Sequence, residues 1–327
     1  MTLRIGTRGS ALALAQCGDV ADLITERTGI ATELVPVTTH GDVSQASLSS
    51  LGGTGVFASA LREALLVGTC DIVVHSMKDL PTAPYPGLVI AAVPEREDAR
   101  DALCARDGLT LAELPADARV GTGSPRRAAQ LLARRPDLTV VDIRGNVDTR
   151  LRFVSSGELD AVVLAVAGLS RLERTAAITE VFELDEWPTA PAQGALAVET
   201  LATVDVAGDG EVARALRAIN DGNSFVAAEA ERAVLAGLEA GCSAPVGASA
   251  RVGTDGLRLT ASVYAGDGSS AVMDDAQAEL PALPDPSESA PHDGAGLDAR
   301  IATASRIGFD LAASLITAGA PGLAARP

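Results

Sequence analysis

Short β-rich runs alternate with helical patterns through most of the chain, and this alternation constrains its fold more than any other feature. The first four segments read as strand, helix, strand and helix, at residues 3–7, 10–27, 31–38 and 57–67. The apolar runs 71–75 and 88–93 have the composition of buried parallel strands. The pattern predicts an α/β fold.

A second set of alternating elements begins near residue 101 and repeats the first architecture. Strands are predicted near 119–121, 138–143 and 160–165, with helices near 125–135 and 147–156. Pro188, Pro191 and the apolar run 195–198 suggest that the chain then returns to the first set. We therefore expect two lobes, formed by residues 1–97 plus 192–220 and by residues 98–191, with a ligand-binding cleft between them.

The remaining residues, 221–327, predict a smaller α+β third domain. A helix rich in Ala and Glu runs from Ser224 towards Gly241, and the alternating runs 246–252 and 257–264 read as strands. Residues 280–296 are rich in Pro, Asp, Ser and Gly and predict a solvated loop. A final helix is expected at 298–318.

The charge balance excludes broad classes of partner. Asp and Glu number 43 against 26 Lys and Arg, and a formal charge of -17 opposes unspecific binding to nucleic acid or anionic membranes. No stretch approaches the roughly 20 apolar residues that span a bilayer, and no secretory signal pattern opens the chain. We expect a cytoplasmic protein. The basic residues comprise 25 Arg and one Lys, which suggests a halophilic surface.

The cysteines and histidines show no metal-ligand or disulfide pattern. Cys17, Cys70 and Cys104 fall inside apolar elements and read as small buried hydrophobic residues. Cys242 differs, because it follows Gly241 in a loop after a helix. By itself this position is a weak sign of a reactive thiol.

Charge reverses locally between residues 119 and 152, where eight Arg stand against three Asp. Arg126 and Arg127 follow Ser124, a good N-cap residue, and Pro125, which suits the first helical position. A helix start with two guanidinium groups predicts an anion site. A solvated helix face is the alternative, and it is the better interpretation for Arg134 and Arg135.

Two further arginines extend this pattern. Arg144 comes directly after a predicted strand, and Arg150 lies about one helical turn beyond it, so both can point into the same cleft. By spacing alone, a functional cluster and a solvated face are about equally favoured.

The only lysine lies at a strand end. Lys78 and Asp79 follow the buried run 71–75, and the carboxyl end of a strand is the usual position of sites in α/β folds. An isolated Asp79 before Leu80 would more often be a turn residue. The single Lys beside it shifts the balance towards function, because a compact ammonium differs from a guanidinium.

Taken together, these segments resemble the porphobilinogen deaminase family, in order along nearly the whole chain. The motifs that carry the resemblance are at residues 7–16, 75–80, 95–98, 121–127, 135–138, 144–150, 164–169, 193–194 and 241–242. The sequence departs from the family pattern in having no Lys in the segment 52–57, Gly123 in place of a common Ser, His40 in place of a commoner Arg, and an apparent insertion at 280–296.

The resemblance implies two periplasmic-binding-protein-like lobes, a third domain, and a dipyrromethane cofactor attached to Cys242. It implies that four porphobilinogen molecules are joined head to tail with loss of ammonia, and that Asp79, as a buried carboxylate, stabilises the resulting cation. Family members are usually monomeric. Cofactor contacts would come from Lys78, Ser76, Thr122, Ser124, Arg126, Arg127, Arg144 and Gly194. Substrate contacts would come from Arg8, Ser10, Gln16, Phe57, Arg144 and Arg150.

The main alternative is a non-enzymatic, cleft-type binding protein that holds a polycarboxylate between the same two lobes. A third domain that presents a cysteine loop has no purpose in such a protein, which favours the enzyme.

Overall fold

The computed structural model describes residues 2–37, 56–241, 244–282 and 294–324, which form two five-stranded sheets, one three-stranded sheet and the helices that cover them. No helix in these ranges is both long and apolar enough to cross a membrane.

The first sheet is built mainly from the N-terminal part of the chain. Its elements are β1 (Leu3–Thr7), α1 (Ala11–Thr28), β2 (Thr32–Pro36), α2 (Val56–Leu66), β3 (Ile72–Ser76), β4 (Leu88–Ala92) and, from much later in the chain, β10 (Leu196–Leu201). The strand order is β2-β1-β3-β10-β4. β1 is parallel to β2 and β3, whereas β10 is antiparallel to both of its neighbours.

The expectation that residues 88–93 form a parallel strand is wrong. Within the described residues β4 pairs only with β10, and it does so in the antiparallel sense. β4 runs in the same direction as β3, but β10 is inserted between them, so the bonds of β4 all go to a strand of opposite direction. An apolar run indicates a strand without showing which strand lies beside it, and β4 is buried only in part.

The second sheet repeats this arrangement. Its elements are β5 (Asp101–Ala105), β6 (Arg119–Gly121), α3 (Pro125–Arg134), β7 (Thr139–Val141), α4 (Val147–Ser155), β8 (Ala161–Ala165), α5 (Val166–Arg171) and β9 (Glu180–Val181). The order is β7-β6-β8-β5-β9, with β6 parallel to β7 and β8, and β5 antiparallel to β8 and β9.

The two sheets share one topology. In each, the strand of opposite direction is the first one that the chain forms after it crosses from the other sheet: β5 follows β4, and β10 follows β9. Each sheet therefore contains a strand that is reached only by a crossing. This confirms the predicted fold class of two α/β lobes, while the boundaries given above remain our assignment.

The last elements form the α+β part. α6 (Glu211–Ile219) packs on α1 in the first lobe, and α7 (Gly222–Gly237) leads into the sheet β11 (Val246–Gly253), β12 (Gly256–Tyr264) and β13 (Ala271–Ala278). α8 (Gly294–Thr317) and α9 (Ala320–Ala324) follow. An aliphatic core joins α7, α8 and one face of this antiparallel sheet.

Candidate active site

The turn that carries Lys78 and Asp79 follows β3 directly. Residues Met77–Asp79 form a 3₁₀ turn. Met77, which links β3 to Lys78 and Asp79, is buried in the core. Lys78 is half-buried, and its Nζ donates to Gln193 Oε1 at 3.3 Å. Asp79 is exposed. The expected burial of Asp79 is therefore wrong, because the 3₁₀ turn places this carboxylate beyond the end of the buried strand.

The environment of Lys78 changes its protonation. Burial lowers the pKa of the Lys78 ammonium to about 8, and the positive charges of Arg127 and Arg126 act in the same direction. The carboxylates of Asp79 and Asp101 oppose this change. Lys78 is therefore a cation at neutral pH that loses its charge slightly above it.

Four predicted residues lie at the start of α1 and the end of β3. Ser10 is the N-cap of α1, and its Oγ accepts from Ala13 N at 3.3 Å. Gln16, two turns into the helix, is buried and its Nε2 donates to Ser76 Oγ at 2.9 Å. Arg8 is half-buried in the loop that joins β1 to α1. These residues place a set of polar groups beside the Lys78 turn.

The predicted helix start is confirmed at α3. Ser124 is the N-cap, with its Oγ accepting from Arg127 N, and Pro125 occupies the first helical position. Thr122 is buried, and its Oγ1 accepts from Ser124 N at 3.2 Å. Gly123 has a local explanation, since a Cβ there would lie 2.6 Å from the Ile143 carbonyl oxygen. The hydroxyls of Ser124 and Thr122 thus already fix the backbone of this turn.

Arg126 and Arg127 do not form the open anion site that their position suggested. Both are buried, and they share one carboxylate: Arg126 donates to Asp101 Oδ2 at 2.9 Å and Arg127 to Asp101 Oδ1 at 2.6 Å. Arg126 also donates to Gln130 Oε1 at 2.6 Å, and Arg127 to Val163 O at 3.1 Å. Sequence reasoning missed Asp101, because nothing local shows that the first residue of β5 meets the start of α3.

Arg144 and Arg150 lie near this pair. Arg144 is exposed and its closest acid is Asp142, at 3.5 Å. Burial lowers the pKa of Arg150, and the charges of Arg127 and Arg144 lower it further. Three guanidinium groups that repel one another in this way form a site suited to a multiply charged anion.

The arginine cluster contains hydrogen-bond donors that an anionic ligand could satisfy. The Nε atoms of Arg126, Arg127 and Arg150 are buried, and they have no hydrogen-bond partner among the residues that the structure describes. Buried donors are nearly always paired in proteins. Carboxylate oxygens are the strongest partners for guanidinium N–H groups. The arginine set therefore fits a ligand that carries several carboxylates, as the acetate and propionate arms of a dipyrromethane do.

The second crossing adds Gly194 to the site, and the end of α5 adds Arg171. Gly194 has a φ of +87°, and a Cβ at this position would lie 2.4 Å from the Glu97 carbonyl oxygen, so only glycine fits. Its carbonyl accepts from Arg171 at 2.9 Å, and Arg171 also lies 3.8 Å from Asp19 of the first lobe. Arg171 thus bridges the lobes beside the site. Its place at the end of a short helix is typical of a solvated residue, so the sequence pattern does not mark it as part of the site.

Two predicted residues cannot be placed. Cys242 lies outside the described residues, between Gly241 and Ala244. The side chain of Phe57 also lies outside them, although its backbone belongs to α2.

The other three cysteines are buried, as predicted, and are not in disulfides. Burial raises the pKa of the Cys17 thiol to about 11 and that of the Cys104 thiol to about 12, which makes them poor nucleophiles. The described ranges contain no cluster of His, Cys, Asp and Glu that could hold a metal ion.

Comparison with known proteins identifies the chain. Residues 3–207 match the family model "Porphobilinogen deaminase, dipyromethane cofactor binding domain", and residues 225–316 match "Porphobilinogen deaminase, C-terminal domain". A porphobilinogen deaminase of Leifsonia xyli is 58% identical over 98% of this chain and 94% of its own length. One of Thermobifida fusca is 56% identical over 86% of this chain and 87% of its own length.

Among solved structures, the methionine binding protein MetQ is similar to 67% of this chain over 89% of its own length, with 12% identity and a TM-score of 0.43. The sheet order described above, and not this likeness, identifies the two-lobe architecture. The two family models and the two relatives together cover nearly every described residue of the lobes and the α+β part. The chain belongs to the porphobilinogen deaminase family.

Proposed function

We propose that this chain is a hydroxymethylbilane synthase, which condenses four porphobilinogen molecules head to tail, releases ammonia and forms linear hydroxymethylbilane. One observation of the structure carries the proposal: buried arginines with unpaired Nε donors converge on the Lys78–Asp79 turn. Each porphobilinogen adds one acetate and one propionate to the growing chain. A cluster of guanidinium groups beside a carboxylate is the arrangement that such a product requires.

The dipyrromethane cofactor is held in this proposal by a thioether to Cys242. When bound, it supplies the free α-carbon that extends the chain. Its carboxylates would take the unpaired donors of the buried arginines, and Lys78 would add a positive charge below a pH of about 8. The residues assigned to it are Ser76, Lys78, Thr122, Ser124, Arg126, Arg127, Arg144, Gly194 and Cys242.

The role of the substrate contacts is to hold porphobilinogen against Asp79. Departure of ammonia leaves a positive charge on the substrate. The Asp79 carboxylate stabilises that charge and transfers protons to or from the reacting groups. Because Asp79 is exposed, its charge becomes effective only when a substrate covers it and excludes water. The residues assigned to substrate binding are Arg8, Ser10, Gln16, Phe57, Arg144 and Arg150.

Product formation separates this enzyme from a polycarboxylate-binding protein of the same fold. Purified protein is incubated with porphobilinogen, and both the released ammonia and the linear tetrapyrrole are measured. The proposal expects one ammonia for each pyrrole consumed. Binding of porphobilinogen with no ammonia released would support the binding protein instead.

Elongation is tested by removing one arginine at a time. Arg144→Ala should stall the reaction with short chains bound to the enzyme, because an exposed guanidinium beside Arg150 would no longer hold the new carboxylates. Arg134→Ala is the matched control, since its guanidinium stacks over the Trp187 ring at 5.0 Å. Mass spectrometry of the bound chains distinguishes the two variants. Equal distributions of bound chains would count against the role of Arg144.

We also propose that the protein is a cytoplasmic monomer adapted to high salt, with no nucleic acid or membrane partner. The support for salt adaptation, and for the absence of nucleic acid and membrane partners, is compositional: a formal charge of -17, 25 Arg and a single Lys. Hydrated carboxylates keep a protein soluble in salt, and the same charge repels anionic polymers.

A further inference from the structure

Asp101 is a fully buried carboxylate at the point where the chain first enters the second lobe. Its exposed fraction is 0%, and each of its oxygens accepts two hydrogen bonds. Oδ1 accepts from Arg127 at 2.6 Å and from Gln193 at 2.8 Å. Oδ2 accepts from Arg126 at 2.9 Å and from the indole N–H of Trp187 at 2.9 Å. An isolated buried carboxylate is very costly, so this residue depends on all four partners.

The same carboxylate is connected to the Lys78 turn through one side chain. Gln193 donates from Nε2 to Asp101 and to Ala99 O at 2.8 Å, while its Oε1 accepts from Lys78 at 3.3 Å and from Arg127 at 3.2 Å. Both crossings between the lobes, the start of α3 and the end of β3 thus meet around Asp101. A substitution of Asp101 would therefore alter hydrogen bonds at each of these elements.

The Asp101 carboxylate also balances part of the positive charge of the two arginines. Arg126 and Arg127 carry two positive charges, and Asp101 compensates only one of them. The remaining positive charge lies close to Lys78 and Arg150, since the charge of Arg127 lowers the pKa of both side chains. Without Asp101 the two buried guanidinium groups would repel each other and could not both keep their positions.

We propose that Asp101 is a positioning residue of the condensation site: it fixes the guanidinium groups of Arg126 and Arg127 and provides a negative charge beside the Lys78 ammonium. Asp101 is too deeply buried to touch substrate, so it acts through the three cations. The proposal rests on the proposed function for what those cations bind, but the arrangement itself is a property of this chain.

The single lysine allows a direct test that does not depend on activity. Competitive acetylation with acetic anhydride, followed by peptide mass spectrometry, gives the titration midpoint of Lys78 apart from that of the N-terminus. The charged groups that act on this amine are Asp79, Asp101, Arg126 and Arg127, and its pKa is about 8. Asp101→Asn removes a charge that raises this pKa, so the midpoint should move to lower pH.

The labelling is done in a Cys242→Ser background, so that cofactor loading does not differ between variants. Asp98→Asn is the matched control, because Asp98 lies at the same crossing and pairs with Arg100 at 2.7 Å. The control should keep the midpoint of the parent protein. A folded Asp101→Asn protein with an unchanged midpoint would overturn the proposal.

The separate effects on KM and kcat distinguish a positioning residue from a catalytic one. In the otherwise native enzyme, Asp101→Asn should raise the KM for porphobilinogen by about tenfold or more, with a smaller effect on kcat, because displaced Arg126, Arg127 and Lys78 no longer hold the cofactor in the position against which porphobilinogen binds. Asp98→Asn should not change KM. A KM equal to that of the control enzyme would also contradict the proposal.

A double variant covers the case in which Asp101→Asn does not fold, as judged by circular dichroism and by a cooperative urea transition. Asp101→Asn with Arg126→Met keeps the original net charge of the buried group, and Arg126→Met alone is its control. The double variant should have a lower Lys78 midpoint and a higher KM than the single variant, and equal values would refute the positioning role. If the parent enzyme forms no tetrapyrrole, the proposed function fails, while the labelling result still decides the role of Asp101.

Discussion

Glu231 holds the α+β part against the two lobes, and its removal gives a sharp prediction for stability. The carboxylate lies in α7 with an exposed fraction of 0%. It accepts two hydrogen bonds from Arg96, at 2.8 and 2.9 Å, one from Ala192 N and one from Ala250 N at 2.7 Å. One side chain thus ties the first crossing, the second crossing and β11 together.

Glu231→Gln keeps the size of this side chain and removes its charge. The amide has one acceptor oxygen, and its NH₂ group must face donors, so at least two of the four hydrogen bonds are lost. The Arg96 guanidinium, only 11% exposed, keeps its charge without a counter-ion. Breaking a buried pair from one side costs about 3–5 kcal/mol, a large part of the roughly 5–15 kcal/mol that stabilises a typical protein.

Urea unfolding measures this loss, with circular dichroism for the whole chain and Trp187 fluorescence for the second lobe. Glu229→Gln is the matched control on the same helix. Its half-buried carboxylate accepts from Ser305 Oγ at 2.7 Å, a bond that an amide oxygen can also accept, so the cost should stay below about 1 kcal/mol. Equal unfolding midpoints for the two variants would refute the reasoning about Glu231.

Three further predictions concern catalysis, acid and salt. Asp79→Asn should lower kcat by roughly a hundredfold or more, whereas Arg134→Ala should leave kcat nearly unchanged; normal turnover by Asp79→Asn would remove its catalytic role. Burial would raise the pKa of Glu199, but hydrogen bonds and charges from His75 and Arg62 lower it from 4.5 to about 2. Its stabilisation is therefore present above pH 4.5 and lost as the pH falls towards 2, so acid unfolding should be less steep in Glu199→Gln; equal slopes would contradict this. The melting temperature should rise between low and molar KCl, because the Debye length falls to about 3 Å at 1 M; a flat or falling curve would contradict salt adaptation.

Features that depend on neighbouring residues in the chain were predictable from the sequence. The start of α3 is an example: Ser124 and Pro125 satisfy the free N–H groups at a helix start, and the structure has the cap that this pattern predicts. The strand patterns likewise gave most strands of the two lobes, although β5 and β9 were not predicted.

Features that depend on distant parts of the chain were not predictable. β10 lies between β3 and β4 in the sheet, although more than a hundred residues separate β4 from β10 in the chain. Asp101 contacts α3 only because the chain crosses into the second sheet at β5. β13 has alternating exposed and half-buried residues with few large apolar side chains, so its sequence resembles that of a solvated segment.

The exposure of Asp79 shows a third kind of limit. Sequence placed this residue at the end of a buried strand, and the strand is indeed buried. Asp79 is the last residue of the 3₁₀ turn that follows, and it is exposed although Met77, the first residue of that turn, is buried. Burial of a strand therefore does not show which of the following residues are buried: Met77 and Leu80 are buried, and Asp79 is not.

The intact mass of the purified protein tests the central claim most directly. After expression with porphobilinogen available, the protein should carry the added mass of two pyrrole units, and Cys242→Ser should have the mass of the bare chain. Cys70→Ser, which replaces a buried thiol, should keep the modification. A native protein with the mass of the bare chain, or a modified Cys242→Ser protein, would contradict the assignment of a dipyrromethane enzyme built on Cys242.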